Sequence, residues 1–144
     1  MSLIQNNSRM SLTELAKKLS LSIDATKKRL DFLVENQFVS LRALIEPKAI
    51  GYDLIANVQI KLNNISEEEH KNIINYLKAH KNVIELISIL GDYDLTCVII
   101  AKNTQELEII SREIRNKFKN IISDWRSVIN LEIHKFEEYD IMRL

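Results

Sequence analysis

The stretch SLTELAKKLSLSIDATKKRLDFLVE, residues 11–35, sets the reading of the whole chain. Ser11-Leu12-Thr13-Glu14 has the form of a capping box, a Ser N-cap with Glu at the third helical position, so a helix opens there. Leu12, Leu15, Ala16 and Leu19 recur at helical spacing, with Lys17 and Lys18 outside the apolar stripe. Ser20-Leu21 makes the turn, and Ser22 caps a second helix running to Glu35. Two short helices joined in this way put the second one into a DNA major groove. Steps of ~100° per residue group Ile23, Thr26, Leu30, Leu33 and Val34 on its inner side. Asp24, Ala25, Lys28, Asp31 and Phe32 lie opposite, with Lys27 and Arg29 at the edges. On this reading Ser22, Asp24, Ala25 and Lys28 meet base edges. Lys27 and Arg29 meet phosphates, which position the helix without specifying sequence. The helix is electrically neutral, with three basic and three acidic side chains in residues 22–36.

Beyond this pair the period changes. Phe38 to Ile45 reads as a short linking strand, ended by Glu46-Pro47, and Gly51 marks a turn. Ile55 to Leu62 alternates, with Ala56, Val58, Ile60 and Leu62 on one face and Asn57, Gln59 and Lys61 on the other. Ser66 to His80 is helical, with Ile73, Ile74 and Leu77 inward. Val83 to Leu90 and Leu95 to Ala101 form a hairpin about Gly91-Asp92-Tyr93-Asp94. Thr104 to Phe118 is a helix facing in with Leu107, Ile110, Ile114 and Phe118, and Ser127 to Phe136 is the last strand. The predicted class is therefore α+β. Residues 1–45 hold a winged-helix-like helix-turn-helix whose first helix is cut to a stub, Leu3 to Asn6. Residues 46–144 hold a ferredoxin-like β-α-β-β-α-β domain. Its helices cover one face of the sheet. Val83, Ile87, Ile89, Val98 and Ile100 are expected on the other, too apolar for water and hence a subunit interface.

Composition narrows the classes further. A chain of 144 residues, 46% hydrophobic and 28% charged, has the balance of a soluble globular protein. No apolar run spans a membrane and no signal peptide opens the chain, so a cytoplasmic protein is expected. The one cysteine, Cys97, excludes an internal disulfide and reads as core packing. His70, His80 and His134 are scattered without metal-ligand spacing, so neither metal nor cofactor is expected. The net charge of zero hides an asymmetry. Residues 1–48 hold eight Lys/Arg against five Asp/Glu, and residues 49–144 hold twelve against fifteen. The sign favours nucleic acid for the first part.

The order helix-turn-helix, linker, ferredoxin-like domain resembles the Lrp/AsnC family, the leucine-responsive or feast/famine transcription regulators. The resemblance runs through Arg9-Met10-Ser11, Glu14-Leu15-Ala16-Lys17-Lys18, Leu21-Ser22, Arg29, Glu46-Pro47, Ile50-Gly51-Tyr52 and Gly91-Asp92-Tyr93-Asp94. It implies a module for double-stranded DNA joined to a domain that senses a small effector, usually an amino acid, and drives homodimers into octamers. It also implies that the Gly91–Asp94 loop is the effector loop, and that Ser127 stands where the family has a Thr with its hydroxyl at the same interface. A Gly-containing turn lets backbone approach a ligand, carboxylates accept from an α-ammonium, and amides hold an α-carboxylate. The chain departs from the family by its short first helix, by Ser20 and Gln37 at usual glycine positions, and by Phe32 at a commonly basic one.

Two other functions fit parts of this pattern. One is an effector-sensing oligomer that no longer binds DNA, in keeping with the clipped first helix and the neutral second. The other is an enzyme similar to the sirohaem decarboxylases that share the layout. That chemistry calls for a cationic, histidine-bearing cavity, whereas the ferredoxin-like part is net negative and its histidines are dispersed. A non-enzymatic regulator is the leading expectation.

Overall fold

A computed structural model describes residues 1–141 and 143. The chain folds as two compact units. One comprises Met1–Leu44 with the described residues from His134 onward; the other is Ile45–Ile133.

The first unit opens with α1, Ser2–Asn6, followed by α2, Leu12–Leu19, and α3, Ile23–Glu35. Ser11 caps α2 as the sequence implies. Its hydroxyl accepts the Glu14 N–H at 3.2 Å, and the Glu14 carboxylate accepts the Ser11 N–H at 3.0 Å. The Ser11 N–H, and after it the Ser11 hydroxyl donating at 3.0 Å, hold the Glu14 carboxyl below the usual carboxylate range. Ser22 caps α3 by accepting the Ala25 N–H at 3.1 Å. Leu15, Ala16 and Thr26 are buried where the two helices meet. The stub α1 is anchored by Gln5, whose amide donates to the Tyr139 carbonyl at 2.8 Å and accepts the Tyr139 N–H at 3.2 Å.

The linking strand expected over Phe38–Ile45 does not form. Those residues make no ladder, and Leu41, Leu44 and Ile45 are exposed. A strand needs a hydrogen-bonding neighbour, and this one has none within its own chain. The winged-helix-like outline therefore lacks its strand. Pro47 opens a 3-10 turn, Pro47–Ile50, closed by Gly51 with φ 87°.

The second unit is a four-stranded antiparallel sheet in the order β2-β3-β1-β4. It is built from β1 (Leu54–Leu62), β2 (Val83–Ser88), β3 (Leu95–Ala101) and β4 (Ile122–Asn130). Two helices complete it, α4 (Glu67–Ala79) and α5 (Thr104–Lys117). Sequence and sheet order give the expected β-α-β-β-α-β topology. Both helices pack on one face. Ile73 and Leu77 of α4 and Leu107, Ile110 and Ile114 of α5 meet Ala56, Val58, Ile60, Leu95, Cys97 and Ile99. Burial pushes the Cys97 thiol up to about 12, which leaves it an inert core residue.

Two expectations are corrected here. The last strand is Ile122–Asn130 rather than Ser127–Phe136, because pairing with β1 begins at Leu62↔Ile122 and ends at Ile55↔Asn130. Val83 faces the core rather than the open side, because the β2–β3 register slips between Val83 and Glu85. An extra residue there reverses which side chains point inward. The open face instead carries Ile55, Ile87, Val98, Val128 and a buried Ile100, interleaved with Asn57, Gln59, Thr96 and Asn130 and with the charged Glu85 and Arg126.

Candidate functional site

The DNA-facing candidates all sit on the first two turns of α3. Ser22, Asp24, Lys27, Lys28 and Arg29 are exposed, and Ala25 is half-buried beside them. Thr26, between them, is buried and donates its hydroxyl to the Ser22 carbonyl at 2.9 Å. Burial of Thr26 turns that side of the helix inward, so the cations beside it are presented outward. Asp24 lies at the positive end of the helix dipole, which stabilises it, but it opposes approach of a phosphate. Lys28 and Arg29 border an apolar hollow of about 580 Å³ between the stub α1 and the other two helices, lined by Leu15, Leu19, Leu30 and Leu33. Phe32, where the resemblance calls for a basic side chain, is exposed and stacks on Phe38 with ring centroids 6.2 Å apart.

The effector candidates separate into two places. Gly91–Asp94 forms the β2–β3 turn, where Gly91 and Asp92 are exposed. Tyr93 and Asp94 hold the turn against the neighbouring strands. The Asp94 carboxylate accepts the Leu62 N–H at 2.7 Å, and its backbone N–H donates to the Ile60 carbonyl at 3.1 Å. The Tyr93 hydroxyl donates to the Asp124 carboxylate at 2.8 Å, which raises its pKa. Asp94 is exposed as well, but its carboxylate is held by the Leu62 N–H.

Ser127 lies elsewhere. It pairs with Val58, so it stands on the helix side of β4. There it lines a hollow of about 290 Å³ with Trp125, Ile129 and the α5 residues Thr104, Leu107, Glu108, Ser111 and Arg115. Reading the sequence did not find Glu108, Ser111 or Arg115. The available signal was Ser111, a small polar residue on the buried side of a helix whose other inward positions are Leu107, Ile110 and Ile114. Trp125 packs partly on the core, and its buried Nε1 has no acceptor. Among the described residues no group of His, Cys, Asp and Glu is arranged to hold a metal ion. None of their helices is long and apolar enough to cross a membrane.

A helix pair presenting cations, followed by a sheet domain with an apolar open face, defines a class: DNA-binding transcription regulators with a ligand-binding partner domain. Residues 1–40 match the model of winged helix-turn-helix DNA-binding domains, and residues 55–138 match the Lrp/AsnC ligand binding domain. The chain belongs to the Lrp/AsnC family of transcription regulators. It is 31% identical over 114 residues to the transcriptional regulator LrpA of Pyrococcus horikoshii, covering 78% of this chain and 79% of that one. Its fold is similar to that of an AsnC family transcriptional regulator from Agrobacterium tumefaciens, with a TM-score of 0.86 at 21% identity over 99% of this chain and 94% of that one. It is also similar to a feast or famine regulatory protein from M. tuberculosis complexed with L-methionine, with a TM-score of 0.81 at 24% identity over 97% and 92% of the two chains.

Proposed function

We propose that this regulator binds duplex DNA through α3 and answers to a free amino acid through its sheet domain. The observation that carries the reading is the joining of the two parts in one chain. A capped helix pair exposes Lys27, Lys28 and Arg29, and a ligand-binding domain of the family follows it. The crystallised relative with L-methionine supports an amino acid as the effector class. Ser22, Asp24, Ala25 and Lys28 read base edges, while Lys27 and Arg29 hold phosphates. The apolar open face pairs two copies, and dimers assemble into a larger even-numbered oligomer such as an octamer. Several neutral recognition helices then act together on spaced half-sites, so effective concentration compensates for a weak single module. The effector meets the Asp92 side chain and the Gly91 backbone of one subunit beside a neighbouring copy. By favouring one assembly it shifts the population. The chain acts as a regulator in the cytoplasm, without catalysis.

A thermal-shift screen of the twenty amino acids, with light scattering on the hits, tests this. At least one amino acid raises the melting temperature and changes the mass of the assembly. Asp92→Ala removes the change in mass while the protein stays folded. A screen in which no amino acid alters either quantity contradicts the reading.

A further inference from the structure

Four α5 residues, Thr104, Glu108, Ser111 and Arg115, follow one another at steps of four, three and four. That spacing puts them on one stripe of the helix. The stripe faces the alternate β4 residues Trp125, Ser127 and Ile129, whose partners Ile60, Val58 and Ala56 are all fully buried. A polar helix stripe over the edge of a sheet is an unusual way to finish a core, since a large apolar residue at position 111 would close it. The serine there leaves the hollow of about 290 Å³, near the lower end of the ~300–1,000 Å³ typical of small-molecule pockets.

The lining offers both signs of charge and an apolar surface. Arg115 donates its Nε–H to the Ser111 carbonyl at 3.3 Å, which holds the guanidinium beside the hollow. One of its terminal nitrogens stands 3.6 Å from the Glu108 carboxylate, which also accepts from Arg112 at 3.4 Å; both are exposed pairings that a ligand ammonium competes with. Ser111, Ser127 and Thr104 add hydroxyls, and Leu107, Trp125 and Ile129 form the apolar wall. The Trp125 ring forms part of that wall, while its indole N–H is buried and has no acceptor. The hollow lies on the helix side of the sheet, so pairing of the open faces leaves it accessible.

We propose that this hollow is a ligand site within one subunit, distinct from the hairpin turn. Its ligand is a zwitterionic α-amino acid with a compact apolar side chain. The ligand carboxylate lies on Arg115, the ammonium on Glu108, and the side chain against Leu107, Trp125 and Ile129. The proposal rests on the reading that the sheet domain senses amino acids, and it places a second recognition site in that domain.

Trp125 is the only tryptophan in the chain, so its emission reports on this hollow alone. The experiment titrates each of the twenty L-amino acids into the full-length protein and follows Trp125 fluorescence beside calorimetric heat. An apolar L-amino acid changes the emission saturably, and its amide, lacking the carboxylate, does not. Arg115→Met weakens binding by roughly tenfold or more, as loss of a charge-assisted partner does. Ser111→Leu fills the space and abolishes the response, with circular dichroism confirming that both variants stay folded. Asp92→Ala at the hairpin leaves the fluorescence response in place. Heat without any change in Trp125 emission, insensitive to Arg115→Met and Ser111→Leu, overturns the hollow as a site and leaves amino-acid sensing standing. No heat with any amino acid overturns both.

Discussion

Ser20 and Gln37 hold left-handed backbone, with φ of 54° and 61°. Each ends a helix in the same way. The Leu21 N–H reaches the Ala16 carbonyl at 3.0 Å, and the Phe38 N–H reaches the Leu33 carbonyl at 2.9 Å. Glycine is the usual residue at such a position because a Cβ clashes there. Ser20→Gly and Gln37→Gly are each expected to stabilise the first unit by about 0.5–1 kcal/mol, read as a higher midpoint in thermal denaturation. The substitutions were visible in the sequence, but the backbone they share was not, because a serine or glutamine carries no conformational signature of its own. Asp94 makes the same point in the sheet domain. Gly91–Asp94 is legible as a turn, yet the partner of the Asp94 carboxylate is the Leu62 N–H, 32 positions away. Asp94→Ala therefore lowers stability by about 1–2 kcal/mol in chemical denaturation, while Asp92→Ala leaves it unchanged.

At the scale of elements, local signals were read well and pairing signals poorly. Ser11 with Glu14 is a true capping box, legible because both halves lie within four residues, and the structure shows a second, Ser66 with Glu69, at the start of the helix expected there. Both glutamates are held below the usual carboxylate range, chiefly by the backbone N–H of the capping serine. Their folded pKa values are below the unfolded ones. The stability they add is therefore present above the unfolded carboxylate pKa and is lost as pH falls through the folded values. Glu69→Gln keeps an acceptor but cannot titrate, so its stability declines less steeply on acidification than that of wild type. Denaturant melts between neutral and acid pH measure this. The bounds of β4 and the inward turn of Val83 were misread because both depend on register. The first is set by Leu62↔Ile122, the second by a slip after Val83, and no short window of sequence contains either. The linking segment failed for a related reason: Phe38–Ile45 has a strand composition but lacks a neighbour to pair with. The pocket under α5 escaped because it arises between a helix and a strand that are read separately.

On the proposed reading, assembly of several copies makes a weak single DNA-reading module useful. The open sheet face presents Ile55, Ile87, Val98 and Val128 beside Glu85 and Arg126, with Ile87 and Val128 about half exposed at 46% and 51% and Ile100 already buried. Two copies joined there bury that surface. Val98→Lys places a charge in the middle of it and shifts light scattering to monomer, since an unpaired charge at an interface costs about 3–5 kcal/mol. On the proposed reading the net-neutral α3 gives a single copy low affinity, so loss of the dimer is expected to remove DNA binding as well. The central claim is that this chain is an amino-acid-responsive DNA-binding regulator. Its most direct test is a fluorescence-anisotropy titration of duplex fragments from the surrounding genome, in a series of salt concentrations, with and without the amino acid found in the thermal screen. The account predicts binding at micromolar protein or below that weakens steeply with salt, changes on adding the amino acid, and falls by about 1–3 kcal/mol in Lys28→Ala. Absence of any retained fragment at micromolar protein in low salt contradicts it.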